Sequence, residues 1–279
     1  MDKLYFGTAG IPLIVKKRST ENGLKMVKEL ELDAMELEFV RRINISPEKA
    51  VEIKKLAEKL DVKLTVHAEY YINLNAEKEK LEKSIERLVN AAKIAYLSGA
   101  WSVCFHPGYY MGKTADETYR NIKNALKKVL EILNSENINV WIRPEITGKP
   151  SQFGSLEEIV RLSQELDNVL PVIDYAHLHA RTGGKYNSYR EFKDILNYIE
   201  KNLGRTALDN MHIHVSGIEF GEKGEKKHLN LKESKLNYKA LLRSWRKYDI
   251  KGIVISESPN IEKDAILLKK HYYRKRKRG

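Results

Sequence analysis

The chain has 279 residues, an apolar content of 42%, 50 Lys and Arg against 38 Asp and Glu, a net charge of +12 and one cysteine. No run approaches the ~18 apolar residues of a membrane-spanning helix, and the opening MDKLYFGTAG reads as a strand rather than a basic-plus-apolar secretory signal. A lone cysteine, Cys104, excludes an internal disulfide and makes a cytoplasmic location the expectation.

Runs rich in Val, Ile, Leu and Tyr predict strands at 3–7, 34–39, 63–67, 101–105, 139–143, 170–174, 211–215 and 252–256. Between them, apolar residues at three- and four-residue spacing predict helices at 47–60, 77–97, 115–134, 156–166, 188–202 and 236–248. Ile85, Leu88, Val89, Ala92, Ile94 and Ala95 form one such stripe. Thr114 before Glu117, and Ser155 before Glu158, match capping boxes. No Pro/Gly/Ser-rich linker divides the chain. The alternation predicts a single (β/α)₈ TIM barrel over 1–268. A basic tail over 269–279 follows, with seven Lys and Arg between 269 and 278. The rest of the chain is also net positive, so the expected partner is a polyanion, nucleic acid first.

Eight candidate metal ligands fall at or near the ends of these strands. They are His67 in LTVHAEYY, His106 in WSVCFHPG, Glu145 in VWIRPEITG, Asp174 and His177 in PVIDYAHLH, His214 in MHIHVSG, His228 in EKKHLNL and Glu257 in GIVISESP. Any one alone would be an ordinary core or loop residue, and Glu145 or Glu257 could simply pair with Arg143 or a lysine. Together, eight mixed His and carboxylate donors suit a cluster of more than one Zn²⁺-like ion. An open sheet would spread them along an edge, whereas a closed barrel gathers every strand end at one mouth. Cys104 reads as a small core residue, His212 as a partner deeper in the barrel, His179 as a neighbour of the ligand pair, and His271 as part of the tail.

The motifs His67-Ala-Glu-Tyr70, His106-Pro-Gly108, Arg-Pro-Glu145, Asp174-Tyr-Ala-His177, His212-Ile-His214 and Ser-Glu257-Ser resemble the endonuclease IV family of apurinic/apyrimidinic (AP) endonucleases, over nearly the whole chain. The Phe6–Pro12 and Ile255–Asn260 runs resemble an archaeal-type branch of that family, within the xylose-isomerase-like barrels. The resemblance implies two to three Zn²⁺ ions, with Mn²⁺ as the alternative metal. It implies that Glu145 bridges two ions, that His67 and His106 hold the first, that Asp174, His214 and Glu257 hold the second, and that His177 and His228 hold a third. One departure stands out. Where the family carries an aspartate two residues before the histidine matching His228, this chain has Lys226. Glu219, Glu222 and Glu225 are the nearby carboxylates, and the sequence does not choose among them.

The resemblance also implies a DNA-binding surface: Arg41 and Arg42 after the second strand, and Tyr70 and Tyr71 after the third, entering duplex DNA at an abasic or otherwise damaged site. Gly108-Tyr109-Tyr110 and Arg181-Thr-Gly-Gly184 offer further mouth loops. The expected activity is hydrolysis of the phosphodiester 5′ of an abasic site, by a monomer, leaving a 3′-hydroxyl and a 5′-deoxyribose phosphate. The competing readings are a sugar isomerase or epimerase of the same barrel type, a UV-damage-type endonuclease, and a non-catalytic binder of damaged DNA.

Overall fold

Alternation along each strand sorts side chains onto two faces of one closed sheet. The strands are β1 (Leu4–Ala9), β2 (Ala34–Glu38), β3 (Lys63–His67), β4 (Ser102–Phe105), β5 (Trp141–Pro144), β6 (Val172–Asp174), β7 (Met211–Val215) and β8 (Gly252–Ser256). All pair in parallel, in the order β5-β4-β3-β2-β1-β8-β7-β6. The ring closes between β5 and β6 through two isolated bridges, Ile142 to Val169 and Glu145 to Val172. Outside lie α1 (Thr20–Glu29), α2 (Pro47–Leu60), α3 (Lys78–Leu97), α4 (Ala115–Ser135), α5 (Leu156–Glu165), α6 (Tyr189–Leu203), α7 (Tyr238–Tyr248) and α8 (Glu262–Tyr273). This computed structural model describes residues 1–274, and its architecture is the expected (β/α)₈ barrel. None of the described helices is long and apolar enough to cross a membrane.

Two of these eight helices escaped the periodicity reading. In α1 the Asn22-Gly23 pair lowers helix propensity. Gly23 packs closely: a Cβ there would lie 3.0 Å from the Met35 sulfur and 3.2 Å from Ile11, so those side chains would have to give by a few tenths of an ångström. Helix α8 runs through residues assigned to the tail. Lys269 Nζ reaches the Asp33 carboxylate at 2.8 Å, and the Tyr273 hydroxyl donates to the Leu4 carbonyl at 2.7 Å. Residues 269–273, His271 among them, therefore belong to the barrel wall, and 275–279 lie outside the described residues. Ser155 and Glu158 form the reciprocal capping box, and Ser188 and Glu191 form one that was not anticipated. At Thr114 the hydroxyl accepts the Glu117 N–H.

The main core lies between the barrel and its helices. There Val66, Val103, Phe105, Ile142, Ile173 and Ile213 pack with residues such as Leu88, Leu126, Ile159 and Leu241. Inside the barrel a small apolar group, Ala34, Ile253 and Ile255, packs with Tyr5 and Trp101. The rest of the interior is polar: Glu36, Thr65, Ser102, Arg143 and His212 are all buried.

Arg143 does not pair with the mouth carboxylates. Its guanidinium lies 4.3 Å from the centre of the Trp101 ring and donates to the carbonyls of Asn210 (2.8 Å) and Pro171 (3.3 Å). Those residues immediately precede β7 and β6, so Arg143 plugs the end opposite the mouth. Arg143→Ala should leave a cavity and two unpaired carbonyls. The expected loss is on the order of 3–5 kcal/mol, read by urea denaturation, and a loss under about 1 kcal/mol would show the plug to be dispensable.

Candidate metal centre

Strand register brings the eight predicted ligands to one mouth. His67 ends β3 opposite Glu38 on one side and Cys104 on the other. Asp174 ends β6 opposite His214. Glu145 and Glu257 directly follow β5 and β8, and their N–H groups continue the ladder to Phe105 and Val215. His177 sits on the short helix Tyr175–Arg181, which Asp174 caps by accepting the His177 N–H at 2.7 Å. His228 arrives on a hairpin, Gly217–Gly221 with Gly224–Leu229, that rises after β7.

Glu145, fully buried, is the hub. Its Oε2 lies 3.3 Å from His67 Nε2 and 3.2 Å from His106 Nε2, and it accepts the Cys104 thiol at 3.0 Å. Its Oε1 lies 3.2 Å from both His214 Nδ1 and His177 Nδ1. His214 Nδ1 is also 3.3 Å from Glu257 Oε1. Glu145, Asp174, His214 and Glu257 can each offer an atom within 4.8 Å of the others, as can His106, Glu145 and His177, and likewise His177, His228 and Glu257.

Beside the third group the structure places Glu225. His177 Nε2 and His228 Nε2 are 3.3 Å apart, and Glu225 places Oε2 3.5 Å from the first and Oε1 3.5 Å from the second. Glu219 instead faces Lys226 and Lys227. The cause is a bulge. Glu219 pairs with Lys227 but Phe220 pairs with Glu225, so Lys226 is the extra residue. A bulge breaks the two-residue alternation and brings Glu225, three residues before His228, onto the histidine's side. Gly148 makes the room: a Cβ there would lie 2.5 Å from Glu225 Oε2 and 3.0 Å from His177 Cδ2.

These groups fit metal ions on their own chemistry. Ligand bonds of about 2.0–2.2 Å in a tetrahedral shell place neighbouring donors roughly 3.3 Å apart, close to the spacings above. Most of the histidines anchor one ring nitrogen on the main chain: His67 Nδ1 on Ala68 O (2.7 Å), His177 Nδ1 on Ile146 O (3.0 Å) and His228 Nδ1 on Glu257 O (3.2 Å). Each leaves Nε2 for the cluster. Asp174 Oδ2 and Glu257 Oε2 are buried without a hydrogen-bond partner.

The electrostatics point the same way. Burial pushes Glu145 up, but the charges of His214 and His106 more than offset this and hold it well below the usual carboxylate range. Burial pushes His67 down, yet its hydrogen bond to Glu145 and the surrounding carboxylates carry it up to about 10. Glu257 is driven well above its ordinary value, chiefly by burial, and Glu38 to about 7 by burial and the charge of Glu36. The buried carboxylates draw positive charge onto His67, His177 and His214, while burial and the charge of His177 hold His228 down.

Three groups at the centre were missed as site residues. Glu36 and Glu38 face inward from β2, and Cys104, read as simple core, contacts Glu145. The alternation Met35-Glu36-Leu37-Glu38-Phe39 was the available signal. His212 lies below the mouth, as expected, 3.1 Å from Glu36. His179 bonds the Lys185 carbonyl and packs on Phe220, away from the donors of the cluster. Arg181 is spent on the loop after β5, donating to the carbonyls of Lys149 and Gln152 and to the Thr147 hydroxyl.

Arg41 and Arg42 are exposed. Tyr70 and Tyr71 are both about half exposed, and the Tyr70 ring stands 5.1 Å from His67 and 5.8 Å from His106. The Tyr70 N–H donates to the Val40 carbonyl, which ties the two loops together. Tyr71 lies under the Arg87 guanidinium and beside a groove of about 490 Å³ that Tyr109, Lys80 and Lys83 also line.

Fold and donors together define a (β/α)₈ barrel with a polynuclear-type donor cluster at its mouth. The chain belongs to the xylose isomerase-like TIM barrel family, whose profile matches residues 24–274. An uncharacterised protein of Methanocaldococcus jannaschii is 44% identical over 273 residues, covering 96% of this chain and 97% of that protein. A probable endonuclease 4 of Mycoplasma genitalium is 26% identical over 207 residues, 71% of this chain and 67% of that protein. Among solved structures, endonuclease IV from Thermus thermophilus superposes with a TM-score of 0.71 at 20% identity, covering 95% of this chain and 98% of that one. A D-tagatose 3-epimerase-like protein superposes with 0.70 at 21% identity, covering 94% of each chain. These matches support the resemblance to the endonuclease IV family, and they show that the same barrel also carries sugar epimerases.

Proposed function

We propose that this protein is a metal-dependent endonuclease of DNA repair that hydrolyses the phosphodiester 5′ of abasic sites. The observation that carries the reading is the sharing of Glu145 between His67 and His106 on one oxygen and His177 and His214 on the other. On this reading His67, His106 and Glu145 hold the first ion, Glu145, Asp174, His214 and Glu257 the second, and His177, His228 and Glu225 the third. Zn²⁺ suits this mixed His and carboxylate set, with Mn²⁺ the alternative. When bound, the ions supply a water acidic enough to attack at neutral pH and charge to neutralise the phosphate. The protein's own groups do the rest. Glu145 fixes the spacing of two ion positions, Tyr70 walls the mouth beside His67, and Arg41 and Arg42 meet the backbone phosphates of a duplex bent at the lesion.

A second reading, sugar epimerisation, is favoured by one observation: Glu145, Asp174, His214 and Glu257 form a self-contained four-donor set. That reading leaves His67, His106, His177 and His228 without a task. Incubation of the zinc-loaded protein with an abasic duplex and, separately, with ketohexoses distinguishes the two. Nicking 5′ of the abasic site with a 3′-hydroxyl end is the expected result. Epimerised sugar with intact duplex would overturn the proposal.

The basic C-terminus should add affinity without lesion selectivity. Deleting 274–279 removes five positive charges. Binding to intact duplex should weaken and its dependence on log[salt] flatten, while the preference for abasic over intact DNA stays constant. Filter binding across a salt series checks this, and an unchanged slope would mean that the segment does not touch DNA.

A further inference from the structure

A buried polar network beneath the mouth plays no part in the reading above. Glu36 Oε2 accepts the Thr65 hydroxyl at 2.8 Å and lies 3.1 Å from His212 Nε2, while Oε1 lies 2.9 Å from His214 Nε2. His212 Nδ1 is 3.0 Å from the Ser102 hydroxyl. Glu36, Thr65, Ser102, His212 and His214 are all fully buried. One proton arrangement suits these contacts. An ionised carboxylate only accepts, so Thr65 donates to Glu36, Ser102 donates to His212 Nδ1, and a hydrogen on each Nε2 matches the approach of the two imidazoles, which reach Glu36 in distance without completing a hydrogen bond. A neutral imidazole has one donor and one acceptor. With its hydrogen on Nε2, His214 keeps the lone pair on Nδ1, the atom that faces Glu145 and Glu257.

His214 differs here from its neighbours. His67 and His228 anchor their second nitrogen on main-chain carbonyls, and His177 Nδ1 lies among the Ile146 carbonyl and the mouth carboxylates of Asp174 and Glu145, whereas His214 turns its second nitrogen away from the mouth to a carboxylate below it, Glu36. A carboxylate partner makes the imidazole a stronger ligand as well as fixing its tautomer. We propose that Glu36 is a positioning residue that holds His214 as the Nε2–H tautomer and so aims its Nδ1 lone pair at the ion shared with Glu145, Asp174 and Glu257. The proposal rests on the metal reading of the mouth but not on any nucleic-acid substrate.

The two imidazoles approach Glu36 at hydrogen-bond distance but off the ideal N–H direction. The same convergence would suit an ion seated among Glu36, His212 and His214. That ion would require His214 to surrender both ring protons while also serving the mouth, so the tautomer role is the better account.

The test uses the full chain loaded with Zn²⁺ or Co²⁺ and no DNA. In wild-type protein, ¹⁵N-edited histidine spectra should show His214 with a proton on Nε2 and none on Nδ1. Glu36→Gln should weaken one bound ion by about 10–100-fold in chelator competition and alter the Co²⁺ absorption spectrum, with the remaining ions unchanged. His212→Asn should leave the number of ions per chain unaltered. A His214 proton on Nδ1, or a Glu36→Gln protein with wild-type affinity and cobalt spectrum, would overturn the proposal. So would loss of a whole ion in His212→Asn, since that places an ion in the lower network. If Glu36→Gln fails to fold, the wild-type tautomer still decides.

Discussion

Glu145→Ala is expected to reduce cleavage of an abasic duplex by on the order of 10³-fold or more while leaving the barrel folded. The carboxylate touches histidines from β3, from beyond β4, from the short helix after β6 and from β7. Its loss therefore unlinks two proposed ion positions at once. The fold should survive, because the apolar core lies between strands and helices, away from this side chain. Cleavage assays with circular dichroism and metal analysis check the outcome. Near-normal cleavage by a metal-replete Glu145→Ala protein would remove Glu145 from the bridging role.

The second large effect is expected at Glu225. Glu225→Gln should release one ion per chain earlier in stepwise chelation, with an affinity about 10–100-fold lower and activity falling in parallel. Lys226→Asp should change little, because the bulge turns position 226 toward Glu219. The contrast is informative because the resemblance to the family points to position 226, whereas the structure places the Glu225 carboxylate 3.5 Å from both His177 and His228. Tighter binding in Lys226→Asp, with Glu225→Gln unaffected, would mean that two imidazoles alone hold that ion in the natural protein.

The strands and most helices were legible because apolar runs and amphipathic stripes are local signals. Helix α2 spans Pro47–Leu60 as predicted, with Pro47 at its first turn and Ser46 as its cap. Helix α1 was not legible, because the Asn22-Gly23 pair weakens the local helix signal, and Gly23 sits close against Met35. Six of the eight donors were legible for a topological reason: in a closed parallel barrel, residues at the strand ends face the mouth, whereas His177 and His228 reach it from a short helix and a hairpin beyond the strands. What failed to show were groups whose position depends on register or on a partner. Glu36 looked like part of a strand until His212 and His214 were placed beside it. Glu225 was one of three glutamates until the hairpin bulge selected it. Arg181 opened a mouth loop in the sequence, and only the structure shows its guanidinium bonded to the loop after β5.

The closure between β5 and β6 has a mechanical consequence. Two isolated bridges join these strands, and one of them is made by Glu145 itself. A joint with few main-chain bonds parts at lower cost than a long ladder such as the one between β1 and β8. Glu145 stands on one side of that joint and Asp174 on the other, and both point into the same donor group. On the proposed reading, an ion shared by these carboxylates would tie β5 to β6 across that joint, a stitch added to a barrel that its apolar core already holds together.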